Sequence, residues 1–422
     1  MGNHRRVRAV AAALSAGLCL LVLCVALGGQ SQTVRTDSFA VTPAPNAPKY
    51  KFDPDWPKPL PNKWKMGGIT GLAVDSADDV WVLTRPNDTT DVENRAAQNP
   101  PIADCCVRPP AMIHFDKEGN VIGSFDARQG HGMAVDNGYV GADFIYIGSD
   151  TVRRYDAKDG KLLGEIARVP ETQPQAGGGG AAGDGAPPAP GAGAGRGAAA
   201  NPAAQAAAVA AFRTKYPPTT PMIVGNIEEI RLDLSVRELY CTDSYLGGRV
   251  MVFDMDTFKF KRGWGAYGKP LSQISTNDAD HAYTPNGPMP KEFRGHLTLN
   301  LSSDGLVYIA DRIANRIQVT DKQGKFLKEF IVAPSTGAGG STGGIAFSGD
   351  RQQRYLYISD ITNNTIWFLN REDGKVLGRV GSMGDNGGQF YGLHMIATDS
   401  KGNIYTGEVQ NGERVQRFVP VN

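Results

Sequence analysis

The chain has 422 residues, with 44 Lys and Arg against 43 Asp and Glu and a net charge of +1. So even a balance, without a basic stripe or an acidic tail, excludes a surface built for nucleic acid. The length is large for one ordinary domain, and a repeat architecture would account for it without a second core.

The N-terminus reads as an export signal. Arg5, Arg6 and Arg8 form a basic start, and an apolar run extends over 9–27. Ala26 and Gly28 offer small residues for cleavage ahead of Gln30. That order predicts a signal peptide over 1–29 and a secreted or periplasmic product. The alternative is a retained membrane anchor, since the run is long enough to span. A flexible linker is expected over 30–49, ahead of a folded unit at 50–422.

Six copies of one unit then follow. They begin GITGLAVDSADDVWVLTR at Gly68, HGMAVDNGYV at His131, IEEIRLDLSVRELYCTDS at Ile227, HLTLNLSSDGLVYIADR at His296, GGIAFSGDRQQRYLYISD at Gly343 and HMIATDSKGNIYTGE at His394. Each alternates apolar and polar residues with period two and is cut by Gly- and Asp-containing turns, the pattern of short antiparallel strands. One such sheet cannot bury both faces, whereas sheets packed radially can. The fold expected is therefore all-β, a six-bladed propeller of NHL-repeat type. The last copy ends after its third strand, and the stretch Tyr50-Lys51-Phe52 is placed to supply the fourth and close the ring.

Two insertions interrupt the repeats. Residues 173–211 are nearly all Gly, Ala and Pro, a composition expected to stay disordered. An alanine-rich helix near 203–212 is the exception allowed for. The second insertion, 86–110, carries Cys105 and Cys106, which either close a disulfide or remain two loop thiols. Cys241 is the remaining cysteine beyond the signal.

Three of the six histidines open a blade: His131, His296 and His394. Their blades are the second, fourth and sixth, about 120° apart in a six-blade ring, so their imidazoles can meet at the axis. Three imidazoles with a free coordination position describe a catalytic zinc site. Arg85 ends the second strand of blade one where the other blades carry Asp or Glu, which suggests an anionic ligand. Its alternative is an ion pair with Asp88 or Asp91. Tyr245, in CTDSYLGGRV, could move a proton or simply pack. His114, in MIHFD, is expected to be structural, and Asp278, Asp280 and His281 to form a solvated turn near the channel mouth.

These positions together resemble the peptidyl-α-hydroxyglycine α-amidating lyase branch of the NHL-repeat proteins. The resemblance runs over the ring from Gly68 to the C-terminus. It implies that Arg85 holds a substrate carboxylate, that His131, His296 and His394 hold zinc, and that Tyr245 is catalytic. Met395 stands where that family has an aspartate helping to hold a structural calcium, which puts a calcium here in doubt. The expected activity is cleavage of the C–N bond of an N-acyl hemiaminal, by a monomer acting on a carboxylate-bearing small molecule or peptide. Two other functions fit the same ring: a non-enzymatic NHL scaffold binding protein, glycan or cell wall, and a calcium lactonase of gluconolactonase type. The lactonase would want Glu, Asn and Asp on the axis rather than His.

Overall fold

The computed structural model describes residues 32–36, 39, 41–139, 142–174 and 202–421. The expected signal at 1–29 lies outside them. Six antiparallel sheets are arranged as the blades of a propeller. Their first strands, Gly68–Val74, Met133–Tyr139, Asn226–Asp233, Leu297–Leu301, Ile345–Phe347 and Leu393–Thr398, contact one another and ring the axis. Alternation puts one apolar face of each blade against the next. Six hydrophobic clusters result, one at each blade interface. Trp367 and Tyr308, both fully buried, belong to the cluster between blades four and five.

Ring closure follows the expected pairing. Tyr50–Asp53 adds the outer strand of blade six, antiparallel to Val415–Pro420, with Phe52 opposite Phe418. The Tyr50 hydroxyl also meets that of Tyr357 in blade five at 2.9 Å. Without this strand the edge of blade six would lie open.

Two expectations are corrected. The flexible linker at 30–49 is not a linker throughout. Gln32–Thr36 forms a strand that pairs in parallel with Phe326–Val332, giving blade four a fifth strand. Further along, the Ala44 amide donates to the Leu377 carbonyl and the Tyr355 hydroxyl to the Asn46 carbonyl. The disordered insertion at 173–211 is also too broad. Residues 202–215 form a helix, as alanine content allows. Val209 and Phe212 are buried, and Phe212 packs on Val169 and Val224. Residues 175–201 lie outside the described residues.

The carboxylate at the end of the second strand has a structural role in blades three, four and five. In blade four, Asp311 lies opposite Arg316 in register and pairs with it at 2.9 Å, both side chains fully buried. In blade three, Asp243 and Arg249 repeat this at 2.8 Å. Blade five keeps the carboxylate, Asp360, but has Thr365 opposite it. Asp360 accepts from Thr362, Asn363 and Trp367. With no cation beside it, burial outweighs those donors and pushes its carboxyl from 3.8 up to about 6.

A folded-state value above the unfolded one means stability that is full below about pH 4 and is lost as pH rises through about 6. The comparison is with Asp360→Asn, which does not titrate. Wild type should gain roughly 2–2.5 kcal/mol relative to that variant between pH 7 and 4, measured by denaturant unfolding. A pH-independent difference would mean that Asp360 is charged throughout.

Candidate functional site

The candidate site is built from the starts of the inner strands. Hydroxyl-to-carbonyl bonds tie several neighbouring blades together at this end. Thr70 Oγ1 donates to the Gly130 carbonyl at 2.7 Å, Thr298 Oγ1 to that of Gly343 at 2.6 Å, and Ser359 Oγ to that of His394 at 2.7 Å. Blade two approaches blade three closely at Gly132, whose φ is +71°. A Cβ there would lie 2.5 Å from the Glu228 carbonyl oxygen, so only glycine fits. That approach brings His131 over Glu228.

His131, His296 and His394 all border one cavity, together with Glu228, Arg312 and Thr298. The free space is about 10 Å³, room for one water or one ion. His131 Nε2 and His394 Nε2 face each other at 3.2 Å. Two nitrogens each about 2.0–2.1 Å from one tetrahedral ion would stand about that far apart. The third imidazole is looser. Among the described residues, the group of three whose ligand atoms all lie within 4.8 Å is Asp75, Asp79 and His114, not the three axial histidines. His131 and His394 thus stand at the spacing of two ligands to one ion, while His296 lines the same cavity outside that spacing.

Hydrogen bonds set the outer nitrogens. His131 Nδ1 lies 2.8 Å from the Glu228 carbonyl oxygen. His296 Nδ1 lies 2.6 Å from Glu228 Oε1 and 3.1 Å from Arg312 Nη2. One Nδ1 cannot donate to the first and accept from the second. The shorter contact, to a carboxylate, is the hydrogen bond, which leaves the guanidinium as a neighbour. Glu228 is buried, and burial alone would raise its carboxyl; His296, His131 and Arg312 outweigh that and hold it at about 2. The adjacent Glu229 carboxyl is pushed up by burial, against the pull of Arg231.

The two other residues singled out in the sequence do not line this space. Tyr245, at φ +56°, stacks edge-on against His296 with ring centroids 4.8 Å apart. Arg85 donates through Nε to Asp88 Oδ2 at 2.9 Å, the ion-pair alternative weighed above. Its Nη2 also sits against Gly68, at the start of the blade-one inner strand. His114 stacks on Trp81 at 3.6 Å, and Asp278–His281 is a short helix whose His281 meets the carbonyls of Phe293 and Ser275. Cys105 and Cys106 are joined as a disulfide, and Cys241 is a buried free thiol that burial pushes well up.

Glu228 and Arg312 were not singled out from sequence. Both left a trace there. Glu228-Glu229 is an adjacent acidic pair in an inner strand, which breaks the period-two alternation, and Arg312 directly follows Asp311.

No family model and no curated protein matches the chain. A solved structure similar to it is a structural genomics protein of unknown function from Bacteroides thetaiotaomicron VPI-5482. The TM-score is 0.46 and the identity 14%, over 85% of this chain and 70% of that one.

Proposed function

We propose that the chain is an exported, zinc-dependent lyase that cleaves the C–N bond of an N-acyl hemiaminal such as a peptidyl-α-hydroxyglycine. The observation that supports this best is the His131–His394 nitrogen pair at 3.2 Å on the propeller axis, with His296 on the same cavity. A zinc ion held by these three would supply a Lewis acid for charge developing on the substrate hydroxyl oxygen.

The other roles fall to side chains around it. Arg312, at the cavity, and Arg85 would hold the substrate carboxylate. Tyr245, against His296, would take the hydroxyl proton. The electron pair released forms the carbonyl of an α-keto acid as the C–N bond breaks, and the departing nitrogen takes a proton to become the amide. Export is supported by the basic-then-apolar start and by the Cys105–Cys106 disulfide, a bond that oxidising compartments preserve.

The test is turnover of an N-acyl-α-hydroxyglycine by wild type, Arg312→Ala and Arg85→Ala. Loss of a charged hydrogen bond to the carboxylate should cost about 1.5–3 kcal/mol in kcat/KM, roughly 10- to 150-fold. Arg312→Ala should show the larger loss, because Arg312 lines the cavity and Arg85 does not. Metal content should be unchanged in both. A non-enzymatic propeller is the second function to weigh, because the cavity has room for an ion and no more. Wild-type protein with no stoichiometric metal and no turnover would establish that instead.

A further inference from the structure

Glu228 touches two of the three axial imidazoles, through different atoms. Its backbone carbonyl meets His131 Nδ1 at 2.8 Å, and its side-chain Oε1 meets His296 Nδ1 at 2.6 Å. The other carboxylate oxygen, Oε2, accepts from the Leu297 amide at 2.7 Å, so the carboxylate is anchored to blade four and cannot rotate freely. Glu228 belongs to blade three, between the blades of the two histidines.

A carbonyl oxygen and a carboxylate can only accept. Each Nδ1 must therefore carry the hydrogen, and in the neutral ring each Nε2 keeps its lone pair. For His131 that lone pair faces His394 Nε2 across 3.2 Å. The short, charge-assisted contact at His296 fixes the ring as well as its tautomer. Such outer hydrogen bonds are what orient imidazoles toward a metal and strengthen them as ligands.

We propose that Glu228 is the positioning residue of the axial site: one residue that sets the tautomer and direction of His131 through its backbone and of His296 through its side chain. Its consequence for metal binding rests on the zinc assignment above. The tautomers themselves do not.

The test uses the full chain, labelled with ¹⁵N-histidine and stripped of metal, at about pH 8 where imidazoles are neutral. Long-range ¹H–¹⁵N correlation spectra should show His131 and His296 of wild type as the Nδ1–H tautomer. In Glu228→Ala, His131 should keep that tautomer, since its partner is backbone, and His296 should lose it. In Glu228→Gln, which keeps the side-chain volume and can still offer an oxygen to Nδ1, His296 should retain it. Cobalt(II), titrated into the same proteins, should bind Glu228→Ala roughly 10- to 100-fold more weakly than wild type, with an altered visible absorption band and a smaller loss for Glu228→Gln.

An Nε2–H tautomer at His296 in wild type overturns the proposal. Equal cobalt affinity and an unchanged spectrum in Glu228→Ala overturn it too. If the tautomers are as stated but wild type binds no cobalt, the positioning role stands and the zinc assignment is what fails.

Discussion

Arg316→Met should destabilise the propeller by about 3–5 kcal/mol, the cost of breaking a buried ion pair by removing one partner. Arg316 is fully buried and its guanidinium has no idle edge. Nε and Nη2 bind Asp311, Nη2 also binds the Glu292 carbonyl, and Nη1 binds the Pro290 carbonyl and the Tyr267 hydroxyl. Methionine fills much of the volume but leaves the Asp311 charge with the Arg294 amide and no cation, and takes a donor from two buried carbonyls. The loss should appear as a fall in the denaturant midpoint with little change in slope. The double variant Arg316→Met, Asp311→Leu should recover part of it, because the stranded charge is then gone too. A single variant as stable as wild type would show that water reaches Asp311.

His131→Ala should abolish stoichiometric zinc in the purified protein, and lyase turnover with it. The substitution removes one of the two nitrogens that stand at ligand spacing, 3.2 Å apart. Its effect on metal affinity should therefore exceed the roughly 10- to 100-fold attached to losing an outer hydrogen bond. Stability in the absence of metal should fall little, because His131 is half-buried and its partner there is the Glu228 carbonyl. Metal analysis by mass spectrometry together with the turnover assay decides the matter. Full metal content in His131→Ala would place the ion elsewhere, and the Asp75, Asp79 and His114 group would be the next place to look.

The ring could be read from the sequence because its signals are local. Period-two alternation and turn residues recur in each copy, and a missing fourth strand in the last copy points to a partner near Tyr50. The axial histidines were legible for a related reason: they recur at one place in alternate copies. Glu228 was not, because its position depends on register rather than on motif. In blade three the pairing jumps from Ile227 to Ile230, and in blade six from Leu393 to Met395. Glu228 and His394 each follow the first paired residue and lie in the resulting bulge, an equivalence that strand alternation cannot reveal. The helix at 202–215 was hidden by composition. Its docking rests on Val209 and Phe212 amid alanine, too few residues to give a periodic signal.

The order in which the chain is made has a bearing on the pairing of its two ends. Gln32–Thr36 and Tyr50–Asp53 emerge first, yet their partners are Phe326–Val332 and Val415–Pro420. During synthesis and any passage across a membrane, Gln32–Thr36 must wait for Val332, and Tyr50–Asp53, with the apolar Phe52, for Pro420. Blade six cannot be completed earlier, and the cluster shared by Tyr50, Phe52 and Phe418 forms only then. Contacts so distant in sequence are slow to form and leave open edges in the interval. The nascent chain is therefore most prone to association at its N-terminal end, and a chaperone that guards it would have most to protect there.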